Sequence, residues 1–505
     1  MARYCLAPAP HRPPDRTGLL VVHDPADPVH DLERWSFGAL DEAVRACAAG
    51  LRGMGLTRGD RLVLRMGNRS EGALLFFGAV AAGLVAVPTS SQLTPEELDL
   101  VLDDTGATAL AVTDALDVPG GPARVRPGDV ARWVAGGERA AYLDTAADDP
   151  AFLVYTSGST GVPKGVLHAH RSAWGRRPMY AGWSGLGPAD VLVHAGAVSW
   201  TYTLGVGLTD PWAVGATAVV VAGERDPAAW PGVLRATGAT VFAAVPGVYR
   251  QLLDRAGARD LELPALRHGL SAGEALAPGL WRRWREATGT ELYEALGMSE
   301  ISTFVSSSPS VPTRPGSPGR PQSGRRVAVL SVGAEAEPAV VPAGTSGLLA
   351  VHRTDPGLML GYWRRPEEDA AVRRGEWFVS SDLVHLDDDG YLVHHGRVDD
   401  VMTSLGYRVS PLEVEHVLAR HPGVADVGVA EVAVREDLSL ITAFVVPSEP
   451  GRPADEATLL GFAREHLAAY KCPRRIVVLD RLPRTANGKI RRDLLRALTD
   501  HPGLP

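Results

Sequence analysis

The chain contains only three lysines, and two of them stand in segments that are typical of loops. The other basic side chains are arginines, since Lys and Arg together total 51. Lysine is therefore kept where a compact ammonium group is better suited than a guanidinium, as at a crowded phosphate. Lys164 follows a run of glycines and hydroxyl residues, and Lys489 follows Gly488 near the C-terminus. Both are candidates for phosphate contacts, whereas Lys471 ends a helical pattern and is expected to be structural.

The segment before Lys164 has the composition of an anion-binding loop. An apolar run, residues 151–155, leads directly into it. Small residues allow backbone N–H groups to approach an anion, and hydroxyl groups add donors. The usual nucleoside-triphosphate loop has Gly-Lys-Ser/Thr opening a helix, but here Pro163 precedes Lys164 and Gly165 follows it. The predicted phosphate-binding residues are Thr156, Ser157, Gly158, Ser159, Thr160, Gly161 and Lys164.

Composition and charge argue against several classes of protein. The net charge is −8 and no basic stripe occurs, so we expect no nucleic-acid partner. Cys5, Cys47 and Cys472 are odd in number and far apart, which argues against disulfides or a zinc site. The first residues lack the apolar core of a signal peptide. The longest apolar stretch, residues 72–88, falls short of the ~20 residues that span a membrane. We expect a cytoplasmic protein with no membrane partner.

The elements that must position these loops alternate between helix and strand over the first two-thirds of the chain. This alternation predicts parallel sheets covered by helices. Beyond about residue 335, short strands separated by turns predict a more antiparallel, barrel-like region. We predict an α/β protein with a large N-terminal body of residues 1–396, a hinge at 397–400 and a small, mobile α+β domain of residues 401–505.

Five segments of the chain resemble those of one enzyme family. Tyr155–Gly165 is similar to the phosphate loop of the AMP-forming adenylating enzymes, which include acyl-CoA synthetases, carrier-protein adenylation domains and luciferases. Residues 200–205 and 271–276 most resemble those of benzoate-type CoA ligases. The other four matching segments, in family order, are 293–300, 382–400, 404–415 and 483–489.

The chemistry of carboxylate activation fits these residues. A carboxylate must attack the α-phosphate of ATP, so cations must neutralise two approaching anions while a metal holds the departing pyrophosphate. The resemblance implies ATP, Mg²⁺ and CoA as cofactors. It assigns Mg²⁺ to the catalytic Glu300, whose oxygens suit that ion, and the ribose hydroxyls to Asp382 and Arg397. It places Lys489 at the substrate carboxylate and the α-phosphate.

The resemblance also implies a lid that moves between two half-reactions. Lys489 serves adenylate formation, while a face with Arg408 as a catalytic residue and Gly406 in the thiol tunnel serves the thiol step. One small domain presents both by rotating, with Asp399 as the pivot. Further nucleotide contacts are implied for Gly273, Glu274, Glu294, Ala295, Leu296, Gly297 and Ser299.

Each of these residues also has a plainer interpretation. Glu300 would suit a helix cap, and Asp382 would suit an ordinary turn. Arg397 and its acidic neighbours would suit a solvated run of charges, and Arg408 would suit the surface. Their joint occurrence in family order favours the functional interpretation.

The acid-binding pocket is predicted between two aromatic residues and a glycine-containing strand. By resemblance, Trp200 is the gating aromatic residue, and Tyr202, Gly297 and Met298 line the pocket. Two large rings narrow a pocket into a slot, which favours a flat aryl acid over a long chain. Short or medium aliphatic acids are the alternative. Asp210 is expected to be a turn residue; facing the pocket, it would instead favour a polar or amino substituent.

These residues lead to one principal hypothesis and two alternatives. The enzyme activates a carboxylic acid, an aromatic one in our prediction, to acyl-AMP and transfers the acyl group to the thiol of CoA. The first alternative is an adenylating enzyme that passes the acyl group to a carrier-protein thiol, an amine or nitrite. The second is a non-catalytic nucleotide-binding protein. The sequence makes no prediction of oligomeric state.

Overall fold

The structure is a computed structural model that describes most of the chain. Residues 403–404, 407–408, 434–435 and 438–439 are described by their backbone alone. The description covers residues 1–505 apart from 114–120, 157–163, 224–225, 257–260, 334–337, 398–401, 405–406, 436–437, 450–454, 468–470, 486–487, 489 and 499–505.

A large sheet forms one half of the N-terminal body. Among the described residues it has nine strands, of which the central six run parallel and the outer ones antiparallel. In spatial order the strands are Arg320–Pro321, Ser302–Ser306, Glu291–Met298, His268–Ala272, Val241–Ala244, Val191–His194, Thr217–Val221, Thr17–Val22 and Leu32–Ser36.

A second sheet forms the other half of the body. The described residues form seven strands in this sheet. Five neighbouring strands run parallel, and two antiparallel strands lie at one edge. In spatial order they are Gly361–Tyr362, Lys164–Ala169, Pro150–Thr156, Val85–Pro88, Arg61–Arg65, Ala109–Val112 and Ala123–Val125.

Helices connect the strands of both sheets, as the alternating pattern predicts. Two short π-helical segments, Tyr180–Ser184 and Thr203–Thr209, and a 3₁₀ turn, Pro227–Ala229, add to them. The α-helices of the body are Ala2–Leu6, Phe37–Gly53, Ser70–Ala82, Pro95–Thr105, Pro127–Ala135, Ser172–Gly175, Arg177–Met179, Asp210–Val214, Trp230–Thr237, Pro246–Arg255, Pro278–Thr288 and Pro366–Ala371.

Two helices packed between the sheets form the centre of the body. One apolar cluster joins Phe37–Gly53 and Ser70–Ala82 to strand residues of both sheets. The second helix is apolar on all sides because it is buried on all sides. The helices approach closely at Gly78, where a Cβ would lie 2.5 Å from Cys47 Cβ. Within the described residues, no helix has the length and apolar character needed to cross a membrane.

Asn68 ties the two sheets together at one edge. It stands just beyond the strand Arg61–Arg65 of the second sheet. Its Nδ2 donates to the carbonyls of Gly196 and Val221, both at 3.0 Å, and its Oδ1 accepts the N–H of Val198 at 2.9 Å. These three backbone groups follow or end strands of the first sheet, so the carboxyl ends of strands from both sheets meet there.

Two smaller regions complete the fold, and the predicted fold class is confirmed. An antiparallel sheet follows the two large ones, in the predicted barrel-like region. The chain after residue 401 has its own sheets, helices and apolar cores. Asp399 lies outside the described residues, so the hinge stays a prediction. The antiparallel strands are Val327–Leu330, Gly347–His352, Trp377–Leu386, Arg373–Arg374 and Leu392–Arg397. The C-terminal elements are strands Met402–Ser404, Tyr407–Val409, Val424–Arg435, Leu438–Pro447 and Arg475–Val478, and helices Pro411–Leu418, Glu456–His466 and Arg492–Ala497.

We predict that Asn68→Ala loosens the junction between the two sheets. The change removes three hydrogen bonds to backbone groups, so the free energy of unfolding should fall by about 2 kcal/mol. Urea denaturation followed by tryptophan fluorescence measures the change. Gln92→Ala removes an exposed amide and should leave the free energy of unfolding within about 0.5 kcal/mol. Equal stability of the two variants would show that Asn68 does not join the sheets.

Candidate active site

Two antiparallel strands hold the predicted phosphate loop at its ends. Pro150–Thr156 and Lys164–Ala169 pair so that Thr156 lies directly opposite Lys164. The chain reverses direction between these two residues. The loop residues Ser157, Gly158, Ser159, Thr160 and Gly161 lie outside the described residues, so their contact with phosphate stays a prediction.

Lys164 and Glu300 belong to one connected group of side chains. Lys164 Nζ contacts the carboxylate of Glu368 and lies 5.7 Å from the centre of the Tyr362 ring. The Tyr362 hydroxyl donates to Glu300 Oε1 at 2.8 Å. Burial, and then the charge of Glu300, raise the pKa of Tyr362, so its hydroxyl keeps the proton that it donates. The structure thus links the predicted phosphate lysine to the predicted metal ligand through Tyr362 and gives that lysine a second partner in Glu368. The sequence analysis missed both residues.

The backbone around Glu300 is held by neighbouring segments. The Glu300 carbonyl accepts the N–H of Met359 at 2.7 Å, and the Ser299 carbonyl accepts His168 Nε2–H at 2.8 Å. Burial lowers the pKa of His168 to about 4, so its ring is neutral near pH 7 and donates through Nε2. Glu300 stands in the turn before the strand Ser302–Ser306, so the helix-cap interpretation of this residue is wrong.

Glu300 suits a magnesium ion that takes most of its ligands from outside the protein. In the described part of the chain, no three His, Cys, Asp or Glu side chains cluster as metal ligands. Mg²⁺ usually takes one or two carboxylates and completes its shell with substrate phosphates and water. A single half-buried carboxylate, steadied by Tyr362 through one oxygen, fits that requirement.

Asp382 and Arg397 face each other across two paired strands of the antiparallel sheet. Asp382 Oδ1 accepts His394 Nε2–H at 3.0 Å, and Arg397 Nε donates to Ser381 Oγ at 2.8 Å. Burial works to raise the pKa of Asp382, but His394, Ser380 and Arg397 together outweigh it, and the pKa falls below the usual value. Asp382 is therefore an ionised acceptor. Sequence reasoning missed His394, although its place on the neighbouring strand of a predicted hairpin was a usable signal.

The predicted nucleotide contacts lie at the carboxyl ends of two neighbouring parallel strands. Glu291–Met298 runs beside His268–Ala272. The buried carboxyl of Glu294 accepts the N–H of Leu276 at 2.9 Å, and burial raises its pKa to about 7. Glu294 thereby holds the turn after the second strand. Gly273 and Glu274 lie in that turn, and Glu294, Ala295, Leu296, Gly297 and Ser299 lie along or just after the first strand.

Trp200 and Tyr202 form a corner of two perpendicular rings. The ring centres lie 5.3 Å apart, at an angle of 87° between the planes. The buried Tyr202 donates its hydroxyl to the Leu270 carbonyl at 3.3 Å and packs against the rings of Trp183 and His194. This packing fixes Tyr202 in place. The structure therefore brings the two predicted wall residues together at the end of the strand His268–Ala272.

The glycines of this region keep space for close packing beside the rings. At Gly273, which has a φ of 94°, a Cβ would lie 3.0 Å from Trp200 Cη2. At Gly297, a Cβ would lie 2.6 Å from the Ser302 carbonyl oxygen. Met298 instead packs against a separate apolar cluster. The structure thus places Gly273 beside the corner, and the role of Met298 in the acid pocket stays a prediction.

A cavity of about 530 Å³ is lined in part by the residues just before Trp200. Leu204 and Leu208, from the π-helical segment after Tyr202, line it together with the carboxyl ends of strands from both large sheets. Neither the Trp200 ring nor the Tyr202 ring is part of its lining.

The prediction that Asp210 is a turn residue is wrong. Asp210 begins the helix Asp210–Val214, is fully buried and binds Arg176 through both oxygens, at 2.6 and 2.8 Å. Burial works to lower the pKa of Arg176, but the Asp210 carboxylate outweighs it and raises the pKa. Arg176 also donates to Ser302 Oγ at 2.5 Å. The ion pair thus holds Ser302, which follows the turn with Glu300. Asp210 can be buried as a charged residue because Arg176 is its partner.

The predicted lysine loop of the C-terminal region reaches the body. Arg484 and Ile490 form an isolated antiparallel bridge that closes the loop. Glu274 contacts Arg484 at 3.0 Å. Lys489 and Gly406 lie outside the described residues, and Arg408 is described by its backbone in the strand Tyr407–Val409. Lys471, expected to be structural, donates to Glu413 at 2.5 Å.

Comparison with protein families covers most of the chain. The model of the AMP-binding enzyme family matches residues 7–363, and that of the AMP-binding enzyme C-terminal domain matches residues 413–489. The chain is 32% identical to a 3-hydroxybenzoate–CoA ligase from Aromatoleum, over 92% of this chain and 91% of that protein. It is 33% identical to a benzoate–CoA ligase from Thauera aromatica, over 93% and 92%.

Solved structures agree with these matches. A benzoate CoA ligase from Burkholderia xenovorans LB400 superimposes with a TM-score of 0.86 at 30% identity, over 98% of this chain and 99% of that one. The full-length matches and the site geometry support the same assignment, including the use of ATP, Mg²⁺ and CoA that the resemblance implied. The chain belongs to the AMP-binding enzyme family and is an AMP-forming acid–thiol ligase.

Proposed function

We propose that the enzyme activates an aromatic carboxylic acid. The carboxylate displaces pyrophosphate from ATP to give aryl-AMP, and the thiol of CoA then displaces AMP to give the aryl thioester. The observation that carries this proposal is the perpendicular corner of Trp200 and Tyr202 beside Gly273. A corner of two fixed rings offers a flat substrate one ring to stack on and one ring edge to meet.

The packing around Tyr202 supports a short slot rather than a long tunnel. Trp183 and His194 lie behind Tyr202, with ring centres 5.8 and 4.3 Å from its own. A long alkyl chain would have to displace these rings, at the cost of a well-packed apolar cluster. The aryl acids in the names of the two relatives support the same substrate class.

The charged residues divide the chemistry of the first step between them. Lys164 is placed to meet the phosphates once they replace Glu368 as its partner. Glu300 is the residue that would hold Mg²⁺, and bound Mg²⁺ would neutralise the departing pyrophosphate. Asp382, ionised and oriented by His394, accepts hydrogen bonds from the ribose hydroxyls, and Arg397 donates to them.

The C-terminal region supplies a different residue for each step. Lys489 serves adenylate formation, where its charge meets both the carboxylate and the α-phosphate. Arg408 and Gly406 serve the thiol step, and rotation about Asp399 exchanges the two faces. A carrier-protein thiol, an amine or nitrite would be the acceptor if CoA is not used.

The test of the proposed function is a substrate panel with two readouts. Pyrophosphate release is measured with benzoates, cinnamates and short-to-long fatty acids, without and then with CoA. Mass spectrometry identifies the thioester. We expect the benzoates to give the highest kcat/KM and a CoA thioester as product. A preference for long chains would contradict the slot, and adenylate without thioester would point to another acceptor.

We predict that Tyr202→Ala and Tyr202→Phe differ sharply in their effect on the aryl acid. Alanine removes the ring and should raise the KM for the best aryl acid by about tenfold or more, because about 150–250 Å² of aromatic surface is lost. Phenylalanine removes only the hydroxyl that reaches the Leu270 carbonyl and should stay within about threefold. Steady-state kinetics measure both. If alanine leaves the KM unchanged, Tyr202 does not line the pocket.

We predict that Lys489→Ala separates the two half-reactions. Loss of a charge-assisted contact at the α-phosphate should slow acyl-adenylate formation by about 10²-fold or more. Thioester formation from supplied aryl-AMP and CoA should keep its rate, because that step uses another face of the lid. Rapid-quench measurement of each step gives the two rates. Lys471→Ala, in the same region, should affect neither step. Equal damage to both steps in Lys489→Ala would indicate a folding role.

A further inference from the structure

Four charged side chains of alternating sign connect the body to the C-terminal region. Arg484 NH1 donates to Glu274 Oε2 at 3.0 Å, and its NH2 donates to both oxygens of Asp426, at 3.0 and 2.8 Å. Arg250 NH1 lies 3.8 Å from Asp426 Oδ2. Glu274 and Arg250 belong to the predicted body, and Asp426 and Arg484 to the predicted lid. We call these four residues the latch.

The latch holds the backbone of the loop that carries Lys489. Arg484 NH1 donates to the Gly488 carbonyl at 2.6 Å as well as to Glu274. Gly488 has a φ of 88°, and a Cβ there would lie 2.2 Å from Glu274 Oε1. This positive φ favours glycine at position 488, and the Glu274 carboxylate packs directly against it. Glu274 therefore contacts the loop twice: through the ion pair with Arg484 and through packing against Gly488, the residue before Lys489.

The latch is sheltered enough for its charges to matter. The side chains of Glu274, Asp426 and Arg484 are 14%, 22% and 24% exposed. Burial works to lower the pKa of Arg484, but Asp426 and then Glu274 outweigh it and raise the pKa. Arg484 is therefore a permanent cation shared between two carboxylates. Charge-assisted bonds of this kind exceed the contribution of an exposed surface pair.

Lid rotation affects the central pair of the latch and its two end contacts differently. Arg484 and Asp426 lie on the same side of the predicted hinge, so their bidentate pair travels with the lid. The contacts Glu274–Arg484 and Arg250–Asp426 cross the hinge and must break. The moving cation keeps one partner throughout, so opening does not leave it unpaired, and the two orientations can stay close in free energy.

We propose that the latch selects the lid orientation that forms the acyl-adenylate and that it opens before the thiol step. This inference rests on the proposed function, since it assigns Arg484 as a positioning residue for Lys489 in the first half-reaction. Weakening the latch should therefore slow the first half-reaction and leave the second unchanged or faster. A residue that merely stabilised the fold would slow both.

The test measures the two half-reactions separately in Arg484→Gln, Asp426→Asn and the double variant. Pyrophosphate release without CoA reports the first, and thioester formation from supplied aryl-AMP reports the second. We expect Arg484→Gln to slow the first by about tenfold, the effect of one charge-assisted bond. The double variant should lose no more than the worse single variant, because the two residues act through one contact.

Asp254→Asn is the matched control. Asp254 lies on the same helix as Arg250 and pairs with Arg283 at 2.8 Å, within the body. It should change neither half-reaction. Salt should slow the first half-reaction of the wild type and of Asp254→Asn, but it should have little effect on Arg484→Gln, which has already lost the screened contact.

A second measurement does not depend on activity. Arg282→Cys on the body and Arg420→Cys on the C-terminal region, both exposed, carry a pair of fluorophores, since Cys5, Cys47 and Cys472 are buried. Energy transfer should show one dominant distance in the wild type and a broader distribution in Glu274→Gln. If Arg484→Gln fails to fold, the energy-transfer measurement on Glu274→Gln still tests the latch.

The outcomes separate the latch from the proposed function. If the wild type forms no adenylate with any acid, the proposed function fails, and the distance distribution alone decides the latch. If the wild type is active but the variants slow both half-reactions equally, or neither, the latch is overturned. An unchanged distance distribution in Glu274→Gln overturns it as well.

Discussion

The site depends on one constraint: the carboxyl ends of strands from two separate sheets must stay at a common edge. Parallel sheets present their ligand-binding loops at the carboxyl ends of their strands, so two such sheets serve one site only if these ends are held together. Two helices buried between the sheets set their separation, and Asn68 joins their edges through three hydrogen bonds. The predicted phosphate loop, the turn with Glu300 and the ring corner each follow one of these strands within a few residues.

Around this edge, the charged groups that ligands would need already hold partners within the protein. Lys164 contacts Glu368, Glu300 accepts from Tyr362, and Asp382 accepts from His394. If these three residues bind the ligands as proposed, binding exchanges one set of partners for another, and none of the three charges is without a partner before substrate arrives. Such exchange limits the affinity for any single phosphate, while it keeps the site ready for a ligand that offers several polar groups at once.

Most of the architecture was predictable because it depends on local patterns. Alternating apolar runs predicted the parallel sheets, which are confirmed, whereas the phosphate loop after Thr156 stays a prediction. The errors arose from contacts between distant parts of the chain. Asp210 looked like a turn residue because its buried partner, Arg176, lies 34 residues away and no local sequence pattern predicts their contact. Tyr362 was missed for the same reason, since its partner Glu300 lies 62 residues away. His394 was missed although it lies on the strand paired with that of Asp382.

The scarcity of lysine has a consequence for anyone who attaches this protein to a surface or a dye. Amine-directed reagents would find Lys164 beside the phosphate loop, Lys489 in the predicted catalytic loop and Lys471 paired with Glu413, so most labelling would fall on residues that matter. The 59 carboxylates offer a far larger set of attachment points, and most chemistry directed at them would spare the site. Retention of activity after random coupling should therefore depend on which functional group the linker reacts with more than on how many linkers are attached.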